Sequence, residues 1–189
     1  MKDPDLVERI AAADPGRAAI LRSCPADVLP VSTPFYRRAR VVDLDVETSA
    51  GRIHYRYGLE GDRVVALGER PEAVYELNDR ESLAPGRDSV PAYVRFFFDS
   101  VGGRKIRIVE KAEEIPWRRR APEDQRPAAT KPVVKPVTVE VAAGGDYRAV
   151  ANAIWDVMLV EITLEVSSGG RVQPTSQRLL ADRLEIVPA

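Results

Sequence analysis

Apolar and polar residues alternate strictly in two neighbouring runs. Val42, Leu44 and Val46 alternate with Asp43, Asp45 and Glu47; Ile53, Tyr55, Tyr57 and Leu59 alternate with His54, Arg56 and Gly58. A period of two puts one set in a core and the other in water, so each run predicts a strand. Ser49-Ala50-Gly51 and Glu60-Gly61-Asp62 suit hairpin turns, and Val64 to Leu67 supplies a third strand of a meander.

Helical spacing flanks the meander. Asp3-Pro4 and Asp14-Pro15 each set a capping acid before a proline at a first helical position, predicting two short helices. Leu6, Val7, Ile10 and Ala11 form the stripe of the first, and the second runs towards Pro25. Pro30 and Pro34 then predict an extended, irregular path over residues 25–36. Pro71 to Asn78 reads as a short helix. Further on, Val90, Tyr93, Val94, Phe97, Phe98 and Val101 recur on one helical face, with Ser89 and Pro91 at the start and Gly102-Gly103 as a stop. A rival reading joins two strands, Val94 to Val101 and Arg104 to Glu110, through Gly102-Gly103. The aromatic content favours strands; the stripe and the end signals favour the helix, which is the reading adopted.

Ile106 and Ile108 mark a following strand. Five prolines between residues 115 and 136, with Trp117 the main large apolar residue, predict a linker or long exposed loop. Beyond it, Val137, Val139 and Val141 alternate with polar residues, Ala143 to Asp146 turns the chain, and Tyr147 to Ala153 returns. Trp155 to Val166 reads as the strongest strand. Its even face, Met158, Val160, Ile162, Leu164 and Val166, is wholly apolar. Its odd face starts apolar at Val157 and Leu159 and ends with Glu161, Thr163 and Glu165, which requires cover on both faces at the start. Ser167 to Gly170 is a turn, and residues 176–187 fit either a helix or a strand.

These elements predict an α+β fold: N-terminal helices and a β-meander, then a helix packed on a C-terminal antiparallel sheet. The organisation expected is a helical and meander region over 1–114 containing the aromatic helix 89–101, a linker or loop over 115–136, and a sheet region over 137–189. One co-folded unit of 89–114 with 137–189 is the alternative.

Composition narrows the chemistry. The chain has 189 residues, 44% of them apolar, enough for one domain or two small ones. Its net charge of −1 supplies no global field for nucleic acid. Cys24 is the only cysteine and His54 the only histidine. A disulfide within the chain, a cysteine zinc site and a poly-histidine site are thereby excluded, and only carboxylate sites for magnesium or calcium remain. No cofactor is indicated. No apolar run reaches 18 residues and no signal peptide is predicted, so no membrane association is expected. The low cysteine content points to a cytoplasmic setting. The 23 arginines against 5 lysines suggest GC-rich coding and a bacterial source.

Each candidate site competes with an ordinary structural role. Asp43, Asp45 and Glu47 have the spacing of a cation site and equally of a solvated strand face, with His54 and Arg56 placed to neutralise them across the sheet. Trp117, Arg118, Arg119 and Arg120 form the one dense basic cluster, a surface patch suited to phosphate, yet acids flank it; nucleic acid is not the expected partner. Tyr93, Phe97 and Phe98 suit either one wall of a ligand pocket or a helix core, and Asp99 or Glu161 would be the carboxylate beside such a pocket. Pro132 to Pro136, with a proline at each end, could dock a groove as an extended polyproline segment or serve as a stiff connector into the sheet. No phosphate-binding glycine loop, G-x-G-x-x-G or G-x-S-x-G occurs. The expected function is a non-enzymatic protein-interaction or accessory module, homo-oligomeric or bound to a protein partner. The alternative is a small-molecule-binding or lyase-like pocket protein with a buried carboxylate.

Overall fold

The computed structural model describes residues 3–68, 70–101, 106–118 and 133–187. Asp3 starts the chain's first helix, α1 (Pro4–Ala13), by accepting the Leu6 N–H at 3.1 Å. Asp14 does not start the second. The backbone N–H of Asp14 closes α1 on the Ile10 carbonyl, and α2 (Ala18–Ser23) begins after Arg17 with no side-chain cap. The Asp14 carboxylate is occupied elsewhere, by Arg17 at 2.6 Å and the Tyr57 hydroxyl at 3.0 Å. Acid and proline mark the end of one helix here, and the carboxylate is held by one local and one tertiary partner instead of capping α2.

The meander is present, with one more strand than expected. β1 (Ala26–Val31), β2 (Arg40–Thr48), β3 (Gly51–Glu60) and β4 (Arg63–Leu67) form an antiparallel sheet in that order. Residues 26–31 are therefore not irregular. Pro30 sits opposite Val42 on an edge strand, where a missing N–H is tolerated. One sheet face buries Leu44, Val46, Tyr57 and Leu59 against Ile10 and Leu21 of the N-terminal helices. The other face places Val41 and Leu67 against α3 (Pro71–Glu81) and α4 (Val90–Val101). A Cβ at Gly58 would stand 2.7 Å from a Leu77 methyl, so the bare backbone there lets α3 approach closely.

The aromatic segment is the helix α4, and the rival hairpin is excluded. Gly102 and Gly103, its expected stop, lie outside the described residues. α4 packs on a second antiparallel sheet made of β5 (Ile106–Val109), β6 (Thr138–Val141), β7 (Tyr147–Trp155), β8 (Met158–Val166) and β9 (Val172–Ala181). The order is β5-β7-β8-β9, with β6 also paired to β7. Helices α3 and α4 thus lie between two sheets, and one apolar cluster joins Val41 and Leu67 to Phe97, Ala149, Ile162 and Leu164.

The run from Trp155 to Val166 is not one strand. Asp156, at φ 54°, and Val157 form a two-residue turn, and Trp155 pairs with Met158 across it. Alternation holds from Met158 onward: Val160, Ile162, Leu164 and Val166 are buried on the helix side. Val157 is exposed. Leu159 is fully buried on the opposite side with Val109, Ile115, Ile154, Leu184 and Ile186. Its cover is the segment after β5 and the chain beyond β9, tied by a bridge between Trp117 and Ile186. Residues 176–181 are strand, and no helix follows them among the described residues.

Candidate functional site

Phe98, in the last turn of α4, borders a hollow of about 320 Å³ against the second sheet. Its apolar lining is Phe98, Ile106, Ala153, Trp155, Val160 and Ile162, and its remaining wall is residues 174–177 of β9. The four consecutive β9 residues that border it lie around a register slip. Thr163 faces Ser176 but Leu164 faces Pro174, leaving Thr175 as an extra, bulged residue. A bulge re-aims the side chains around it. The Thr175 hydroxyl donates to the Thr163 carbonyl at 3.2 Å.

The sequence candidates separate around this hollow. Phe98 lines it. Phe97 is buried and stacks on Tyr75 with ring centres 5.7 Å apart. Tyr93 is fully buried; its hydroxyl donates to the Gly170 carbonyl and accepts from the Asn78 amide at 2.6 Å. Burial pushes that phenol's pKa up, so it stays a donor. Asp99 is exposed at the margin of α4 and is not part of the lining. Desolvation raises its carboxyl, with Arg56, Arg107 and Arg95 pulling the other way. Glu161 alternates onto the opposite sheet face, where Arg178 donates to it at 2.9 and 3.1 Å. Neither carboxylate meets the cavity.

The acidic strand face is neutralised across the meander. Asp43 takes both arms of Arg56 at 2.6 and 2.9 Å, His54 Nδ1 meets Asp45 at 2.9 Å, and Arg52 donates to Glu47 at 2.9 Å. The described residues hold no cluster suited to a metal ion. Asp43 raises the imidazole pKa, burial opposes it, and Asp45 adds to the rise. A raised folded-state pKa stabilises most below the unfolded value near 6.5, and the gain is lost as pH climbs through the folded value. His54→Gln is expected to remove a modest fall in stability above neutral pH, because the side chain is 42% exposed and partly screened. Urea unfolding of both proteins from pH 6 to 9 checks this.

Trp117 and Arg118 both bond nearby backbone. The indole donates to the Ala112 carbonyl at 3.4 Å and the Arg118 Nε to the Ile186 carbonyl at 3.0 Å. Arg119, Arg120 and most of the proline-rich segment lie outside the described residues. A second hollow, of about 550 Å³, lies beside α1 and α2, between Val7, Leu21 and Cys24. Its polar groups are already spent: Glu8 and Arg22 bond each other, and Asp3 caps α1.

Sequence reading missed most of the cavity wall. Ile106, Ala153 and Trp155 looked like ordinary strand residues, and the β9 bulge carries no residue signature beyond Pro174. Among the described residues no helix is long and apolar enough to cross a membrane. Compared with known proteins, the chain matches no family model, no curated protein and no solved structure.

Proposed function

We propose that this protein is a non-enzymatic binding module that holds a small, mainly apolar molecule at the uncovered end of its second sheet. The cavity beside Phe98 carries the reading: it is mainly apolar, with a short polar wall on one side, which is the usual make-up of a ligand site. Asp99 and Glu161 stand outside it, so the reading drops the carboxylate chemistry and keeps the pocket. A cytoplasmic, bacterial setting goes with it, on the single cysteine and the arginine bias.

The test is a chemical-shift titration of the full chain with small apolar fragments. The Trp155 indole and the Ala153 amide are expected to move. Gln177→Trp, at an exposed strand position on the mouth, is expected to fill the hollow and abolish the response with little change in melting temperature. Fragments that move neither signal, or that move both equally in Gln177→Trp, overturn the proposal.

A second reading, a protein-interaction module, rests on a different observation. Trp155, Val157 and Leu179 are exposed on the β7–β8 turn and on β9, with Leu179 paired to the cavity residue Val160. Light scattering over a range of concentrations tests self-association; a strict monomer that captures no protein counts against it.

A further inference from the structure

Resting on the pocket reading above, we infer that the body of the ligand is a flat aromatic ring system, bordered by the Phe98 and Trp155 rings and lying over Ala153. The class is defined by the ring, whatever substituent it carries. The floor of the hollow is shaped for a planar body. Ala149, Ala151 and Ala153 of β7 pair with Leu164, Ile162 and Val160 of β8, and all six share the buried inner face of the sheet. Methyl side chains in a row beside branched ones leave a shallow trough along β7. The Phe97 and Phe98 rings of α4 join these six residues in one apolar cluster. Ala153 carries the trough into the hollow, with Val160 and Ile162 still beside it.

A file of rings leads to the same place. Tyr75 stacks on Phe97 with centres 5.7 Å apart and planes 20° apart. Phe97 meets Phe98 edge to face, at 5.5 Å and 86°. Phe98 brings the file to the hollow, and the Trp155 indole lines it as well. Offset and edge-to-face contacts of this kind are worth more than the area they bury. An aromatic ligand extends the file by one member and meets a second ring at Trp155, whereas a saturated ring gains the burial alone. Size agrees with this class. A cavity of roughly 150 Å³ suffices for benzene, and the 320 Å³ here admits one substituted ring or two fused rings.

Toluene and methylcyclohexane separate the two kinds of recognition, because they share a carbon skeleton and differ in flatness and π-electrons. Each is titrated into the full chain and read at the Ala153 methyl signal. The saturated compound leaves water more readily, so a pocket that selects on apolar character alone favours it. Toluene is instead expected to bind roughly fivefold tighter, as contacts with two aromatic rings imply. Its ring current is expected to move the Ala153 methyl signal upfield. Trp155→Leu, at an exposed position beside the β7–β8 turn, is expected to hold methylcyclohexane as before and to lose most of the preference for toluene. A melting curve checks that this variant folds, and the comparison in the parent protein decides the class without it. If the parent binds methylcyclohexane equally or more tightly, or if folded Trp155→Leu keeps the full preference for toluene, the assignment is overturned while the binding itself leaves the pocket standing. If neither compound binds, the pocket reading fails and the ligand class fails with it.

Discussion

Gly170→Ala is expected to destabilise the protein more than any other single methyl addition described here. Gly170 has φ +76°, a conformation that costs an alanine about 1–2 kcal/mol. The added Cβ would stand 2.6 Å from a Leu83 methyl, 2.8 Å from the Asn78 amide nitrogen and 3.0 Å from the Tyr93 hydroxyl. None of these can swing into solvent. Tyr93 and Asn78 are buried, and both bond the Gly170 carbonyl, while Tyr36 donates to Asn78 at 2.7 Å. Overpacking of this kind adds about 1–3 kcal/mol. The sum, about 2–5 kcal/mol, is a large part of the whole stability of a typical domain. A fall in melting temperature of roughly 10 °C is expected. Gly169→Ala is the control. Its Cβ would meet only the Ser167 hydroxyl at 3.9 Å, and its melting curve should overlay the parent's.

Glu81→Ala is expected to follow closely. The Glu81 carboxylate sits at the end of α3 and accepts the backbone N–H groups of Arg37, Arg38 and Ala39 at 2.9, 3.1 and 2.8 Å. It thereby fixes the connection between β1 and β2. Its side chain is 1% exposed, so no water can replace it without a rearrangement. Removing it strands three donors, of which the Ala39 N–H is buried. At about 1–3 kcal/mol for a buried unpaired group, and less for the two near the surface, a loss of about 2–4 kcal/mol is expected. Glu81→Gln restores only part of this, because the amide nitrogen offers no lone pair to an N–H.

The two variants also separate by pH. Burial pushes the Glu81 carboxyl up, but the Arg38, Arg37 and Ala39 N–H groups outweigh it and hold the pKa below 4.5. The unfolded chain then takes up its proton first as pH falls. The stabilisation is complete above 4.5 and is lost as pH drops towards the folded value. In Glu81→Gln this part of the acid sensitivity should vanish. Denaturant unfolding at pH 7 and pH 3.5 measures it; equal losses in both proteins would show that the carboxylate is not the group responsible.

Periodicity made most of the fold legible. The stripe from Val90 to Val101 and the alternations at 42–59 and 158–166 report faces directly, and those faces are the ones the structure buries. What failed depended on partners distant in sequence. Asp14 looks like a cap until the distant Tyr57 claims its carboxylate. Pro30 looks like a breaker until β1 proves to be a rim strand. Trp155 to Val166 looks continuous because apolar residues flank Asp156 on both sides, and only its positive φ reveals the turn. Asn78, Glu81 and Gly170 had no local signal at all; each matters through contacts with residues some 15 to 92 positions away in buried, long-range pairings. The candidate site was half legible. Phe98 was singled out for its ring, while the polar wall lies around a register slip that no composition or period announces.

That register slip also governs how the molecule meets others of its kind. β9 is the open margin of the second sheet, ten residues long and largely exposed. Pro174 has no N–H to offer, Thr175 interrupts the ladder, and a second slip leaves Leu180 unmatched. Only residues 176–179 between the slips keep a regular main-chain edge. A strand from another chain would find only a short regular rail to pair along, a feature that disfavours edge-to-edge growth of the sheet at this border. Anything that docks there must do so through side chains, reading Leu179 and Trp155, while the backbone hydrogen bonds stay within the fold.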